Sequence, residues 1–365
     1  MGERSHDNVR YVVNARFLCE PATGVGRFAI EISKQLKKLD DSIVFVCHEG
    51  IHYQETAKEL DVVVYGKLKR MPWEQLELRL YMKKYPNALL INLANTAPLF
   101  FRRNVLLIHD ILWFTNPEWY NKKAVLYMRL LTPRLVRQAV KILTVSNYSK
   151  GEIAKAFGLP KESIGVVYNA VGEQFVPLDD ATSSRSRFEG RKYILAVSSI
   201  DPRKNFGRLI QAFFQSGVVE QGYELLVVGR KYKAFPDIDF ELSTEQEKHV
   251  QFLGYVDDQE LVELYQNAQL FCYPSLAEGF GIPPLEAMAC GCPVITSNLT
   301  SIPEVCGDAV RYVDPYDVDM LSQIISTVLS GHESREGLIK NSFIQVKRFS
   351  WHCSAKSLLE SIHNR

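Results

Sequence analysis

No stretch of the chain approaches the ~20 consecutive apolar residues that a helix needs to cross a bilayer, which argues against a helical membrane protein. The opening residues, MGERSHDNVRYVVNA, lack the apolar core of a secretory leader, so the chain reads as cytoplasmic. Cysteine is sparse and unorganised, with seven residues at 19, 47, 272, 290, 292, 306 and 353. An odd, scattered set does not make a disulfide framework. Cys290 and Cys292 form a CxC with no second pair near enough for zinc. The thiols read as reduced, with Cys47 and Cys272 acting as small hydrophobes in apolar strands. The triplet Asp317-Val318-Asp319 stands where a helix begins, so Asp317 is expected to be a helix cap and no metal is expected there. No recognised nucleic-acid motif accompanies the basic residues, so no nucleic-acid partner is expected.

What is present is a two-domain soluble composition: 365 residues, 46% hydrophobic and 23% charged. The net charge of +1 conceals an asymmetry. Residues 1–172 carry 25 Lys and Arg against 16 Asp and Glu, whereas residues 173–365 carry 18 against 26. A first half at +9 beside a second at −8 points the first towards an anionic partner, either a membrane surface or a phosphate-bearing acceptor. Short apolar runs alternate with helical segments throughout. In the first half they fall at Val9–Val13, Ile43–Cys47, Val62–Tyr65, Ala88–Ile91, Val105–Ile108, Ile142–Val145 and Val166–Tyr168. In the second they fall at Tyr193–Val197, Leu225–Val228, Val250–Leu253, Leu270–Tyr273, Val294–Thr296 and Val310–Val313. This alternation predicts an α/β fold of two Rossmann-like βαβ domains, residues 1–175 and 190–349. The polar stretch 176–189 is the expected linker, and the cleft between the domains is the default site.

Five stretches stand out. In LFCYPSLAEGFGIPPLEAMACGCPVITS, residues 270–297, a buried strand leads through a glycine loop into a helix opened by Pro283 and Pro284 and stopped by Gly291. That arrangement suits an anion at a helix N-terminus, with Glu278 and Glu286 on either side of it. Arg203 and Lys204 precede the helix Phe206–Phe214, where cations oppose the helix dipole unless an anion lies between them. A guanidinium fork beside an ammonium suits a diphosphate. The strand at 105–108 runs into His109-Asp110, a polar pair at the carboxyl end of a strand, where open α/β sheets bind ligands. Gly24 and Gly26 form a GxG turn before a helix expected at Arg27–Leu39. The segment Lys67–Lys84 reads as a basic amphipathic helix with Trp73, Leu76, Leu78, Leu80 and Tyr81 on one face. It either packs on the sheet or meets anionic head groups through Lys67, Lys69, Arg70, Lys83 and Lys84.

These motifs, in this order, resemble the retaining family 4 glycosyltransferases of the GT-B fold. The resemblance rests on Glu278-GFGIPPL-Glu286, a Glu-x7-Glu pattern, together with TGVGRF, LLIHD, TVSNYSK, VVYNAV, VSSIDPRKN, LLVVGR, FLGYV and SNLTSIPEVCGDAVRYVDP. It covers nearly the whole chain and is similar in flavour to bacterial polysaccharide mannosyltransferases. It implies an acceptor-binding first domain and a nucleotide-sugar-binding second domain facing each other across a cleft, with a C-terminal helix at about 350–365 crossing back to the first. It implies that Glu278 contacts donor-sugar hydroxyls and that Glu286 accepts from the ribose. Backbone amides of Phe280, Gly281 and Ile282 hold sugar or phosphate oxygens, and Arg203 and Lys204 bind and stabilise the departing diphosphate. His109 faces the reacting sugar, and Gly26 lets the first domain close on the phosphates; Gly24 and Asp110 are further candidates.

The implied reaction moves a hexose, with GDP-mannose the favoured donor, to a glycan or polyprenyl-diphosphate-linked acceptor in lipopolysaccharide or other surface polysaccharide synthesis. No cofactor or metal is expected, and the location is cytoplasmic, peripheral on the inner face of the plasma membrane. Two alternatives are a nucleotide-sugar epimerase on the same fold and a non-catalytic nucleotide-sugar-binding subunit.

Overall fold

The computed structural model describes residues 9–21, 23–178, 186–230, 235, 240–331 and 335–363. It divides into two compact units: residues 1–111, 126–169 and 350–365 form the first, and residues 112–125 and 170–349 the second.

The first unit is built on seven strands: β1 (Tyr11–Asn14), β2 (Ile43–Cys47), β3 (Val63–Val64), β4 (Leu89–Asn92), β5 (Asn104–Leu107), β6 (Lys141–Thr144) and β7 (Ile164–Val166). They lie in the order β3-β2-β1-β4-β5-β6-β7, and every pair is parallel. The central strands are buried along their length, as expected of a parallel sheet covered on both faces. The strand order reverses between β1 and β4, which opens a crevice at their carboxyl ends. The helix Gly24–Leu39 packs beside the last helix, Trp351–His363. Phe28 meets Trp351 edge to face at 5.8 Å, and Tyr11 Oη lies 2.7 Å from His363 Nε2. The C-terminal helix therefore belongs to the first unit, as the family resemblance implied.

The second unit holds six strands: β8 (Tyr193–Val197), β9 (Glu224–Val228), β10 (Val250–Gly254), β11 (Leu270–Tyr273), β12 (Val294–Ser297) and β13 (Arg311–Val313). All pairs are parallel, in the order β10-β9-β8-β11-β12-β13. Here the order reverses between β8 and β11. The loops after β8 and β11 therefore leave neighbouring strands at the same edge, although some 70 residues separate them in sequence. A single core of Ile194, Leu209, Phe213, Leu225, Ile295 and Ile325 joins sheet to helices.

Three expectations need correction. The first helix begins at Gly24, capped by Thr23, so Gly24 and Gly26 lie inside its first turn and make no turn before it. The run over residues 70–84 is helical but does not bury one apolar face, because five residues, Trp73–Glu77, are wound as a π-helix. Trp73, Leu78 and Tyr81 face the core, while Leu76 and Leu80 are exposed. Within the expected linker, residues 179–185 lie outside the described residues. The flanking residues are fastened to the second unit: Val176 accepts from Gln266, Ser186 donates to Glu263, and Phe188 is buried on Tyr193.

The join between β8 and β9 depends on one glycine. Gly229 has φ +156°, and a Cβ there would sit 1.7 Å from the Ser198 carbonyl oxygen. Ser198 is itself held, donating its amide to Val228 at 2.9 Å. Gly229→Ala is therefore expected to lower unfolding free energy by at least ~1–3 kcal/mol. An unchanged denaturant midpoint would contradict the close approach.

Candidate active site

The second unit brings three of the sequence candidates into one buried network. Asp201 caps the short turn Pro202–Lys204: its Oδ1 accepts from the Arg203 amide and from Arg203 Nε at 3.1 Å, while Oδ2 accepts from Ser199. Lys204 is thereby directed under β11. Its Nζ lies 2.5 Å from Glu278 Oε1 and donates to Tyr273 Oη at 2.8 Å. Tyr273 Oη and Ser275 Oγ also donate to Glu278 Oε1. Oε1 is thus taken by three donors, whereas the approach to Oε2 is Arg203 Nη1 at 4.0 Å. The third Lys204 proton and Glu278 Oε2 are what this network leaves for a ligand.

The anion that the Arg203-Lys204 pair requires is supplied by the protein itself, as Asp201 and Glu278. Burial pushes the Glu278 carboxyl up. Lys204 and Arg203, with hydrogen bonds from Lys204 and Ser275, outweigh that and hold it below the usual carboxylate range. Desolvation draws Lys204 below the usual lysine range, against the opposing pull of Glu278. The two side chains are paired and only 6–7% exposed.

Glu286, five residues into the helix Ile282–Ala289, is held by a second tyrosine, with Tyr265 Oη donating to its Oε2 at 3.1 Å. Phe271 lies between the two tyrosines, 5.4 Å from Tyr265 and 5.9 Å from Tyr273. One aromatic ladder thus sets both carboxylates. The glycine loop is pinned from behind: Ser301 Oγ donates to the carbonyls of Glu278 and Phe280, each at 2.9 Å. In a planar trans peptide the amide opposes the carbonyl, so the Gly281 N–H points away from Ser301. Gly281 itself has φ +106°, and a Cβ there would meet Ile302 at 2.6 Å. Pro283 and Pro284 carry no N–H, so Gly281 and Ile282 are the amides this helix start can offer an anion. The Phe280 side chain is buried against Phe349.

Sequence reasoning missed Asp201, Tyr273, Ser275, Tyr265 and Ser301. An Asp-Pro before basic residues is a readable cap signal. The tyrosines look like any strand or helix hydrophobe. Asp317 does cap its helix, accepting from the Met320 amide at 2.8 Å. A second Asp-x-Asp that sequence reasoning overlooked, Asp237-Ile238-Asp239, lies outside the described residues. Among the described residues no cluster of three or more His, Cys, Asp or Glu is arranged to hold a metal.

His109 and Gly26 lie in the first unit. His109 follows β5, with its ring edge to face on Phe28 at 4.9 Å; Phe28 is two residues from Gly26 on the same helix. His109 Nε2 lies 3.1 Å from the Leu93 carbonyl, which fixes the proton on Nε2 and leaves Nδ1 as an acceptor. Its amide donates to Asn95 Oδ1 at 2.8 Å, steadying Asn95 at φ +63°. Asp110 is partly exposed. Desolvation lowers the His109 pKa from 6.5 to about 4. The ring is therefore neutral at physiological pH. The unfolded chain takes up this proton near pH 6.5 and the folded chain only near 4. Stability should thus fall as pH drops through that window, by about 3 kcal/mol in full. His109→Asn should flatten this part of the pH–stability curve relative to wild type; parallel curves would contradict the assignment.

Two family models divide the chain between them, one described as Glycosyltransferase Family 4 over residues 22–175 and one as Glycosyl transferases group 1 over residues 179–345. The O-antigen chain mannosyltransferase B of Escherichia coli is 32% identical, covering 93% of this chain and 95% of its own length. The O-antigen chain mannosyltransferase RfbU of Salmonella typhimurium is 31% identical over 84% of this chain and 87% of its own. Among solved structures, Anabaena HepE in complex with UDP superposes with a TM-score of 0.74 at 19% identity, covering 98% of this chain and 100% of that one. WaaG, a glycosyltransferase of lipopolysaccharide biosynthesis, superposes at 0.68 with 15% identity over 98% and 100% of the two chains. The latter two likenesses establish the α/β GT-B architecture. With both units matched and a relative aligned almost end to end, the chain belongs to the family 4 glycosyltransferases.

Proposed function

We propose that this protein transfers mannose from GDP-mannose, with retention and without a metal, to a lipid-linked glycan acceptor in bacterial surface polysaccharide synthesis. The mannose and the pathway are supported by the two O-antigen mannosyltransferase relatives. The site reading rests on one observation, the buried Lys204–Glu278 pair with Arg203 beside it. Breaking the sugar–diphosphate bond places negative charge on the leaving phosphate. Arg203, the third Lys204 proton and the Gly281 and Ile282 amides are fixed donors for that charge, in place before the reaction begins. Glu278 Oε2 is the acceptor for a donor-sugar hydroxyl, and Glu286 for the ribose. In the step itself the acceptor oxygen bonds to the anomeric carbon as the carbon–phosphate oxygen bond breaks. The acceptor proton passes to the departing phosphate, so no side chain need act as nucleophile. A neutral His109 with Nδ1 unprotonated can accept from a sugar hydroxyl but cannot serve as a cationic acid.

A peripheral position on the inner membrane face completes the reading. Among the described residues no helix is long and apolar enough to cross a membrane. The helical run 70–84 presents Leu76 and Leu80 to solvent, with Lys67, Lys69, Lys83 and Lys84 exposed around it. Arg70 is paired with Glu20 at 2.9 Å and contributes less.

A thermal-shift screen of nucleotide sugars, followed by turnover in EDTA, tests the reaction. GDP-mannose is expected to raise the unfolding temperature most, and transfer to a mannose-terminated acceptor should persist in EDTA. Stabilisation by UDP-sugars alone would overturn the donor, and loss of transfer on chelation would overturn the metal-free mechanism. Conversion of the donor without an acceptor would indicate an epimerase.

A further inference from the structure

Two of the seven scattered cysteines meet in the fold. Cys19 ends the 3₁₀ turn Arg16–Cys19, which follows β1, and Cys47 is the last residue of β2. β1 and β2 are parallel neighbours, with Asn14 opposite Val46, so both thiols stand at the same edge of the sheet. Their Sγ atoms lie 3.1 Å apart, and both are free thiols. A disulfide bond measures about 2.05 Å, so the pair closes with a movement of about 1 Å. Cys19 is partly exposed, whereas Cys47 is wholly buried.

The surroundings give the two sulfurs different roles. His48 Nε2 accepts from the Arg70 amide at 3.2 Å, which puts the ring proton on Nδ1. That nitrogen faces the Glu49 carbonyl and stands 3.6 Å from Cys19 Sγ. Cys19 thus has both the Cys47 thiol and the His48 N–H turned towards its sulfur. The hydrogen bond from Cys47 holds the Cys19 thiol below its usual range; burial and Glu20 oppose this, and Arg16 adds to it. Glu20 is itself paired with Arg70 at 2.9 Å, which blunts its opposition. The same hydrogen bond, with burial, pushes Cys47 far up. Cys19 is therefore the sulfur that ionises and Cys47 the one that keeps its proton. Once Cys19 loses its charge, the contact that keeps Cys47 protonated is gone. Elsewhere Cys272, Cys290, Cys292 and Cys306 are buried, and desolvation pushes each of those thiols up. Cys353, exposed on the last helix, serves as a reference thiol. An accessible thiolate beside a second, resolving thiol is the arrangement of cysteines that respond to oxidants.

We propose that Cys19 and Cys47 form a reversible dithiol–disulfide pair that responds to hydroperoxides, with Cys19 the attacking sulfur and Cys47 the resolving one. The Cys19 thiolate attacks one oxygen of hydrogen peroxide. The O–O bond breaks and hydroxide leaves, so the sulfur loses two electrons and the peroxide gains them. The Cys47 sulfur then attacks the Cys19 sulfenic acid. The S–O bond breaks, and the hydroxyl leaves as water with the Cys47 proton. A dithiol reductant returns two electrons and two protons. The disulfide would tie the turn that carries Arg16, whose Nε lies 3.2 Å from Glu74, to the end of β2. Transient disulfides of this kind are the ones that reducing compartments permit. The pair needs neither donor nor acceptor, so it is independent of the transferase reading.

Peptide mass spectrometry tests it on the full chain, reduced, freed of reductant, treated with hydrogen peroxide at low excess and then alkylated. Wild type should lose two of its seven free thiols together, as a disulfide joining Cys19 to Cys47, and dithiothreitol should restore both. Cys353 should be consumed more slowly than Cys19. In Cys47→Ala, Cys19 should stop at the sulfenic acid and be trapped by dimedone. In Cys19→Ser, Cys47 should stay free. If Cys47→Ala does not fold, the wild-type disulfide map and Cys19→Ser decide. Three results would each overturn the proposal. One is consumption of Cys353 while Cys19 and Cys47 stay free. Another is a wild-type Cys19 that accumulates as the dimedone adduct with Cys47 still free. The third is oxidation of Cys47 in Cys19→Ser at the wild-type rate.

Discussion

A lysine and a glutamate buried together, 2.5 Å apart, are the constraint on which the second unit's site depends. Removing either charge from water is costly, and the cost is offset in the measure that the remaining protons and lone pairs are answered. The surrounding residues can be derived from that demand. Tyr273 bridges the pair, Ser275 adds a third hydrogen bond to the same carboxylate oxygen, and Asp201 fixes the turn that delivers Lys204. The parallel sheet makes the meeting possible, because β8 and β11 are neighbours at the switch point and both loops leave their carboxyl ends. What the described residues leave unsatisfied, one lysine proton, one carboxylate oxygen and two backbone amides, is what a sugar diphosphate could take up.

The first unit follows a similar plan with different chemistry. Its switch point lies between β1 and β4, whose terminal residues Asn14 and Asn92 are hydrogen-bonded to each other. Glu74 is drawn in by a π-turn, and His109 clamps the loop that supplies Thr96. In the second unit two cations, Arg203 and Lys204, gather around Glu278, whereas in the first a single cation, Arg16, meets the buried Glu74. His109 thereby gains a structural task in addition to any contact with substrate, since its burial keeps it neutral and its two hydrogen bonds set the loop.

Strand positions were legible because a parallel sheet buried on both faces writes itself as short continuous apolar runs. All thirteen expected runs overlap a strand of the structure, and Ile43–Cys47, Tyr193–Val197 and Leu270–Tyr273 coincide with one. The motif residues Arg203, Lys204 and Glu278 were legible as polar groups at strand ends. What could not be read was pairing between them: no local pattern says that Lys204 reaches under β11 to Glu278. The tyrosines were hidden for a similar reason, since a buried Tyr that orders a carboxylate looks in sequence like one that only fills space. The helix at 70–84 misled because a 3.6-residue period was assumed; the π-turn at Trp73–Glu77 shifts the phase, burying Glu74 and exposing Leu76 and Leu80. The glycines at 24 and 26 misled because Thr23 caps the helix one turn earlier than the apolar period suggests.

The proposal on which the account turns is that Lys204, held in place by Glu278, binds the donor's diphosphate. Calorimetric titration of GDP and UDP into wild-type protein and into Lys204→Met tests it most directly, with the unfolding temperature of each confirming that the fold is intact. The account predicts that the nucleotide bound by wild type binds Lys204→Met at least about tenfold more weakly, as expected when a charge-assisted contact to phosphate is lost. Equal affinity of a folded Lys204→Met for that nucleotide, or no binding of either nucleotide by wild type, would contradict it.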